Sequence, residues 1–217
     1  MESDHQLRVV LGYDDDFEWA QDTVKQHHYL HQYVLYKQRP MLYVIKHVLG
    51  HRLGLMMLGI PHATRCRGWW GYKGLITQWQ VLDLCRVWLD PWIQTDGLWC
   101  VPGSVPGYTD RKGMFRSTAA TWAIGEVLDM VQRDRIRRWP PVLLDQPYHI
   151  RLVISYHDPC FHRGTIYREA KATPMYTSDG QPVPGPSGKY GWCWPLAQPD
   201  WHWQDLVGIK PRTIRMF

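Results

Sequence analysis

Two short apolar runs limit what this chain can become. VLDLCRVWL, within Trp79 to Leu89, and LVISY, within Arg151 to Tyr156, each read as a strand buried on both sides. Between them lies an amphipathic stretch from Ala119 to about Arg137, with Trp122, Ile124, Val127, Leu128 and Val131 at helical spacing and Pro140-Pro141 as its stop. A strand, a crossover helix and a second strand imply a parallel or mixed sheet covered by helices, which is an α/β architecture.

The first third adds a strand at Leu7 to Leu11, a helix from about Phe17 to Tyr29 capped from Asp14-Asp15-Asp16, and a hairpin. The hairpin runs Met41 to Val48, turns at Gly50 with His51-Arg52, and returns through Leu53 to Ile60. After LVISY, a compact helix is expected from Phe161 to Ala170 and a last strand at Met175 to Thr177. Residues 178–217 are rich in Pro, Gly and Trp and read as an irregular extension packed on a domain formed by residues 1–177. No apolar run approaches the roughly 18 residues of a membrane span. Met1 to Leu7 carries Glu2 and Asp4 and lacks signal-peptide character, so a cytoplasmic location is expected. Five scattered cysteines without a CxxC pair read as reduced thiols.

In such sheets ligands bind beyond the carboxyl ends of the strands. That rule draws Val87 to Pro91, including Val87 and Leu89, together with Met114 to Ala120 and Tyr156 to Cys160 around one crevice. The loop Arg111, Lys112, Gly113, Arg116 runs into Ser117 and Thr118 at the start of a helix, where unpaired amides and positive charge suit a pyrophosphate. The net charge is +5, and basic residues cluster at Arg65 and Arg67 and at Arg135, Arg137 and Arg138. They fit a polyanion such as duplex DNA, or a solvated face. Thirteen tryptophans offer rings for stacking on bases or for pinning loops to the core, and composition alone does not choose.

Four segments then stand in a known order: KQHHYLHQ (Lys25–Gln32), DLCRVWLD (Asp83–Asp90), FRSTAATWA (Phe115–Ala123) and ISYHDPCFHRGTIYREA (Ile154–Ala170). Across roughly residues 17–177 this resembles the Mom-type DNA-modification proteins of bacteriophages, which are similar to GNAT acyltransferases. The resemblance implies a GNAT-like mixed sheet, acetyl-CoA as cofactor, and modification of the exocyclic amine of adenine in DNA. It carries over His28 or its neighbour His27, Arg86, Asp158 and Tyr167 as catalytic positions. Asp83, Leu84 and Cys85 depart from the Glu, Leu and Asn common before that arginine, and the phosphate loop of standard GNAT enzymes is not intact.

The residue types suit the chemistry. Asp158 can orient an aryl amine or take its proton, Tyr167 can protonate a leaving thiolate, and Arg86 can stabilise an oxyanion. Equally, Asp158 before Pro159 suits a turn, Tyr167 a core aromatic, and Arg86 an ion pair. His28 and His31, one helical turn apart, form with Asp158 a two-histidine, one-carboxylate set for Fe or another transition metal. Histidines on a helix surface are also simply polar residues. Two further functions remain beside DNA acylation: a non-enzymatic nucleic-acid-binding module, and a GNAT enzyme acting on a small amine or a protein.

Overall fold

A computed structural model describes residues 7–28, 40–59, 61, 80–91, 93, 119–133, 150–185 and 187–196. In chain order the elements are β1 (Leu7–Leu11), α1 (Asp14–His27), β2 (Met41–His47), β3 (Arg52–Gly59), β4 (Val81–Leu89), α2 (Ala119–Arg133), β5 (Leu152–His157), α3 (Thr165–Glu169), β6 (Thr173–Pro174), β7 (Thr177–Ser178), β8 (Gln181–Pro182) and β9 (Tyr190–Pro195). The architecture is mixed α/β, with mostly antiparallel strand pairs and helices beside them. The chain divides into two compact units, one of Met1–Leu58, Cys85–Val127 and Arg163–Lys171, the other of Gly59–Leu84, Leu128–His162 and Ala172–Phe217.

In the first unit β1 pairs antiparallel with β2, and β2 with β3. The second half of β4 follows β3 and is tied to it by the Cys85 thiol on the Met57 carbonyl at 3.2 Å and the Asp90 amide on Leu53 O at 2.8 Å. Helix α1 lays Phe17, Ala20 and Val24, spaced three and four apart, on Leu42, Val44, Leu55 and Met57. The sequence places the acidic run Asp14 to Asp16 ahead of the helix; in the structure it forms the first turn, with Tyr13 as N-cap. Carboxylates there face the positive end of the helix dipole. The β2–β3 turn needs Gly50, whose φ of 93° is strained for any residue with a Cβ. Gly54 is required for a different reason: a Cβ there would sit 2.5 Å from Leu89 Cδ2 and 3.0 Å from the Trp88 carbonyl.

In the second unit, the first half of β4 pairs parallel with β5, within the parallel or mixed sheet expected from the sequence. Beyond β5 comes β9, antiparallel over six pairs from Leu152↔Pro195 to His157↔Tyr190, and β6 pairs with the outer edge of β9. Here the sequence reading of an irregular chain after residue 178 meets a difference. Tyr190–Pro195, YGWCWP, is a strand with Gly191, Trp192, Cys193 and Trp194 buried. Its Gly and Pro content obscured it, yet Gly191 is needed because a Cβ would meet Met175 Sδ at 2.8 Å. The compact helix is also shorter than expected: residues 158–162 make turns, and only Thr165–Glu169 is helical. The core of this unit joins Val81, Leu152, Ile154, Met175 and Cys193, and burial pushes the Cys193 thiol pKa up to about 12.

A single carboxylate ties α1 to the hairpin. Asp16, 4% exposed, accepts from Arg52 Nε at 2.6 Å, from Lys46 Nζ at 3.1 Å and from the Tyr13 amide at 3.2 Å. A bulge between Ile45 and Lys46 sets Lys46 directly opposite Arg52, a like-charge pair that repels unless an anion lies between. Burial alone would raise the Asp16 pKa; hydrogen bonds from Lys46, Tyr13 and Arg52 outweigh it and hold the carboxyl below its usual range.

Because the folded pKa is the lower one, the stabilisation is complete above the ordinary carboxylate pKa and is lost as pH falls through the folded value. Asp16→Asn should therefore cost about 1–3 kcal/mol at neutral pH, a figure reduced because both cations are partly solvated. It should also narrow the gap from the wild type as the solution is acidified toward pH 3. Denaturant titrations at pH 7 and pH 3 measure both; an equal gap at the two pH values would show that the charge on Asp16 contributes nothing.

Candidate functional site

The parallel contact of β4 with β5 is short. Val81, Leu82 and Asp83 face Leu152, Val153 and Ile154. One residue beyond the last of these rungs, the buried Ser155 hydroxyl donates to Leu84 O at 2.8 Å and adds a side-chain tie between the two strands.

Strand β5 ends in His157, and Asp158 follows it. His157, 3% exposed, is stacked with Tyr190 and Trp192, and its Nδ1 accepts from the Trp192 indole N–H at 2.7 Å. An acceptor Nδ1 in a neutral ring places the imidazole proton on Nε2. Asp158 closes a turn: its Oδ1 accepts from the Cys160 amide at 2.9 Å, and its carbonyl accepts from the amides of Phe161 and His162. The Cys160 amide holds the Asp158 carboxyl below its usual range, and Asp158 in turn raises the Cys160 thiol. A carboxylate of lowered pKa is better suited to holding a donor than to removing its proton.

The other positions named from the sequence lie in the first unit. Arg86 is half-buried on β4 and donates through Nη1 to Cys85 O at 2.6 Å. Val87 is half-buried on the same strand, and Leu89 is buried at its end. His27 stacks on Trp88 at 5.5 Å, and His28, 7% exposed, ends α1 with its amide on Val24 O. Tyr167 is buried in α3, which Gly164 starts at φ 70°. The structure therefore brings His28, Arg86 and Tyr167 into one compact unit and puts Asp158 in the other.

Arg111, Lys112, Gly113, Arg116, Ser117 and Thr118 lie outside the described residues, as do His31, Arg65, Arg67, Arg135, Arg137 and Arg138. The helix they precede begins at Ala119 and has no acidic residue in its first turn, which leaves its positive end uncompensated by its own side chains. Among the described residues no group of three or more His, Cys, Asp or Glu is placed to hold a metal ion, and of the His28, His31 and Asp158 set His31 lies outside them. No described helix is long and apolar enough to cross a membrane. Sequence reasoning missed Ser155 and Trp192. Ser155 was legible as a polar residue inside an apolar strand, whereas the Trp192 partner required knowledge of β9.

No protein-family model matches the chain, and no curated protein matches it. Among solved structures it is similar to a ribosomal-protein alanine N-acetyltransferase from Escherichia coli, with a TM-score of 0.49 and 9% identity over 90% of this chain and 99% of the other. It is also similar to a Bacillus subtilis acetyltransferase in complex with CoA, with a TM-score of 0.41 and 10% identity over 88% and 99%. A third is a histone acetyltransferase and related acetyltransferase from Corynebacterium glutamicum, with a TM-score of 0.45 and 12% identity over 89% and 98%.

Ser155→Ala removes the hydroxyl from Leu84 O in a buried place and should cost about 1–2 kcal/mol, the usual penalty for a buried acceptor that loses its donor. Chemical denaturation reads it as a lower midpoint with unchanged slope. An unchanged midpoint would mean that Leu84 O finds another donor and that Ser155 does not tie β4 to β5.

Proposed function

We propose that the chain is an acyl-CoA-dependent N-acyltransferase that modifies an exocyclic amine of a DNA base. The observation that supports the first half is the parallel β4–β5 ladder, Val81 to Asp83 against Leu152 to Ile154. Ligands of parallel strands bind beyond their carboxyl ends, so the thioester of an acyl-CoA would lie toward that end of β5. The nucleotide end of the cofactor falls to the basic segment Arg111 to Arg116 and to Ser117 and Thr118 ahead of α2.

In the reaction the amine nitrogen bonds to the thioester carbonyl carbon. The carbon–sulfur bond breaks, CoA leaves as thiolate, and the proton lost by nitrogen is balanced by one gained at sulfur. Of the residues supplied by the resemblance, Asp158 suits the amine and Tyr167 the thiolate. With Oδ1 engaged by Cys160 and its pKa lowered, Asp158 acts by accepting an N–H hydrogen bond that orients the amine. Arg86 is assigned to the developing negative charge, and His28 is carried over as a further catalytic position.

DNA as acceptor rests on the four segments that resemble Mom-type proteins, supported by the basic clusters at Arg65 and Arg67 and at Arg135, Arg137 and Arg138. Mass spectrometry of nucleosides from cells expressing the protein should show a new acylated or acyl-derived adduct. With acetyl-CoA at 100 times its dissociation constant, folding stability should rise by about 2.7 kcal/mol. No stabilisation by acetyl-CoA overturns the enzyme reading, and stabilisation without an adduct returns the acceptor to a small amine or a protein.

Asp158→Asn and Tyr167→Phe are nearly isosteric and should each lower the rate about 10²- to 10⁴-fold while leaving acetyl-CoA binding intact. A variant that melts lower yet acylates normally once folded marks that residue as structural.

A further inference from the structure

The first unit holds a second place where chemistry converges. At the β2–β3 turn, Trp19, Lys46, His47, Leu49, Gly50, His51, Arg52 and Leu53 line a cavity of about 820 Å³, within the usual range of small-ligand sites. Four of these side chains are basic or imidazole, and none is acidic. Among the described ion pairs, one carboxylate, Asp16, is shared by two cations, Lys46 and Arg52.

Geometry also leaves donors over. Arg52 meets Asp16 through Nε, and that contact does not use the four N–H groups on its terminal nitrogens. The guanidinium carbon stands 5.7 Å from the Trp19 ring centre, and Trp19 itself is braced edge-on by Trp88 at 6.3 Å. A braced indole and a planar guanidinium form a platform on which an aromatic base stacks. His47 and His51 face each other at 6.4 Å, and His47 Nδ1 is taken by the Leu49 amide at 3.2 Å.

We propose that this cavity binds a nucleotide, with Arg52, Lys46 and His51 taking phosphate oxygens and Trp19 taking the base. The cavity fits a planar ring beside an anion. Leu49 and Leu53 supply apolar wall, Trp19 supplies the flat face, and the cations lie on the hairpin. Asp16 holds both cations in place before the ligand arrives, so little side-chain entropy is lost on binding. The nucleotide is either free or one unit of a DNA strand, since both present the same phosphate and base. The site stands apart from the acyl-transfer reading, because it needs neither the β4–β5 edge nor Asp158.

The test is calorimetric titration of the full chain with adenosine 5′-monophosphate, adenosine, inorganic phosphate and a short single-stranded oligonucleotide. The mononucleotide should bind at least tenfold more tightly than either adenosine or inorganic phosphate. His51→Asp, in an exposed turn, and Arg52→Gln should each raise its Kd tenfold or more. If Arg52→Gln fails to fold, His51→Asp still decides. Binding of the oligonucleotide alone, lost in the same variants, assigns the site to a strand; binding of the mononucleotide assigns it to a free ligand as well. Inorganic phosphate binding as tightly as the nucleotide overturns the proposal, as does the absence of binding by either nucleotide probe at millimolar concentration. So does normal affinity in His51→Asp. Acetyl-CoA affinity unchanged in the variants keeps the two sites separate, whereas a parallel loss makes the cavity the acyl donor's own nucleotide end and overturns a distinct site.

Discussion

Strand β4 has to be apolar enough for burial and yet change its partner along its length. Its first residues, Val81, Leu82 and Asp83, are laddered to β5, while Cys85 and the chain at Asp90 are bonded to β3. Between these lies Leu84, whose carbonyl accepts from the Ser155 hydroxyl at 2.8 Å. A buried carbonyl that loses its donor is costly inside a protein, so this side chain supports the strand just past its described rungs with β5. On β3, Gly54 makes room for the end of β4, because a Cβ there would strike Leu89 and Trp88.

Much of this was visible in the sequence, for identifiable reasons. VLDLCRVWL and LVISY are apolar without alternation, and the helix between them keeps a 3.6-residue period, so a parallel or mixed sheet is expected from the pattern. The β2–β3 hairpin was legible because Gly50 stands between two apolar runs. What escaped were features set by distant partners. YGWCWP carries two residues that discourage strands, and only its place between β5 and β6 makes it one. Asp16 reads locally as a cap, and its bonds to Lys46 and Arg52 span 30 and 36 residues.

The candidate catalytic residues divide along the same line. Chemistry-bearing types could be named in advance, but their surroundings could not. Asp158 turns out to be committed through Oδ1 to a turn, which lowers its pKa and shifts its plausible work from removing a proton to holding a donor. The Cys160 thiol is pushed the other way by the same carboxylate, which disfavours its thiolate. One short turn therefore settles the character of two reactive groups, and the signal for it, an Asp before Pro159, is common to many loops that do no chemistry.

The Asp16 group shows how a structural charge can create a binding preference. A like-charged pair across a hairpin would ordinarily be avoided; here the bulge at Ile45 and Lys46 produces it, and the buried carboxylate makes it tolerable. Among the described ion pairs two cations share this one anion. Adding a second carboxylate would balance the charge but would bury another ion at high desolvation cost. The arrangement is most favourable when the remaining positive charge is met from solution by an anion that keeps part of its hydration. Ligand binding and the anchoring of α1 then draw on the same two side chains, so an anion that binds there stabilises the hairpin, and loss of Asp16 loosens the cations that would receive it.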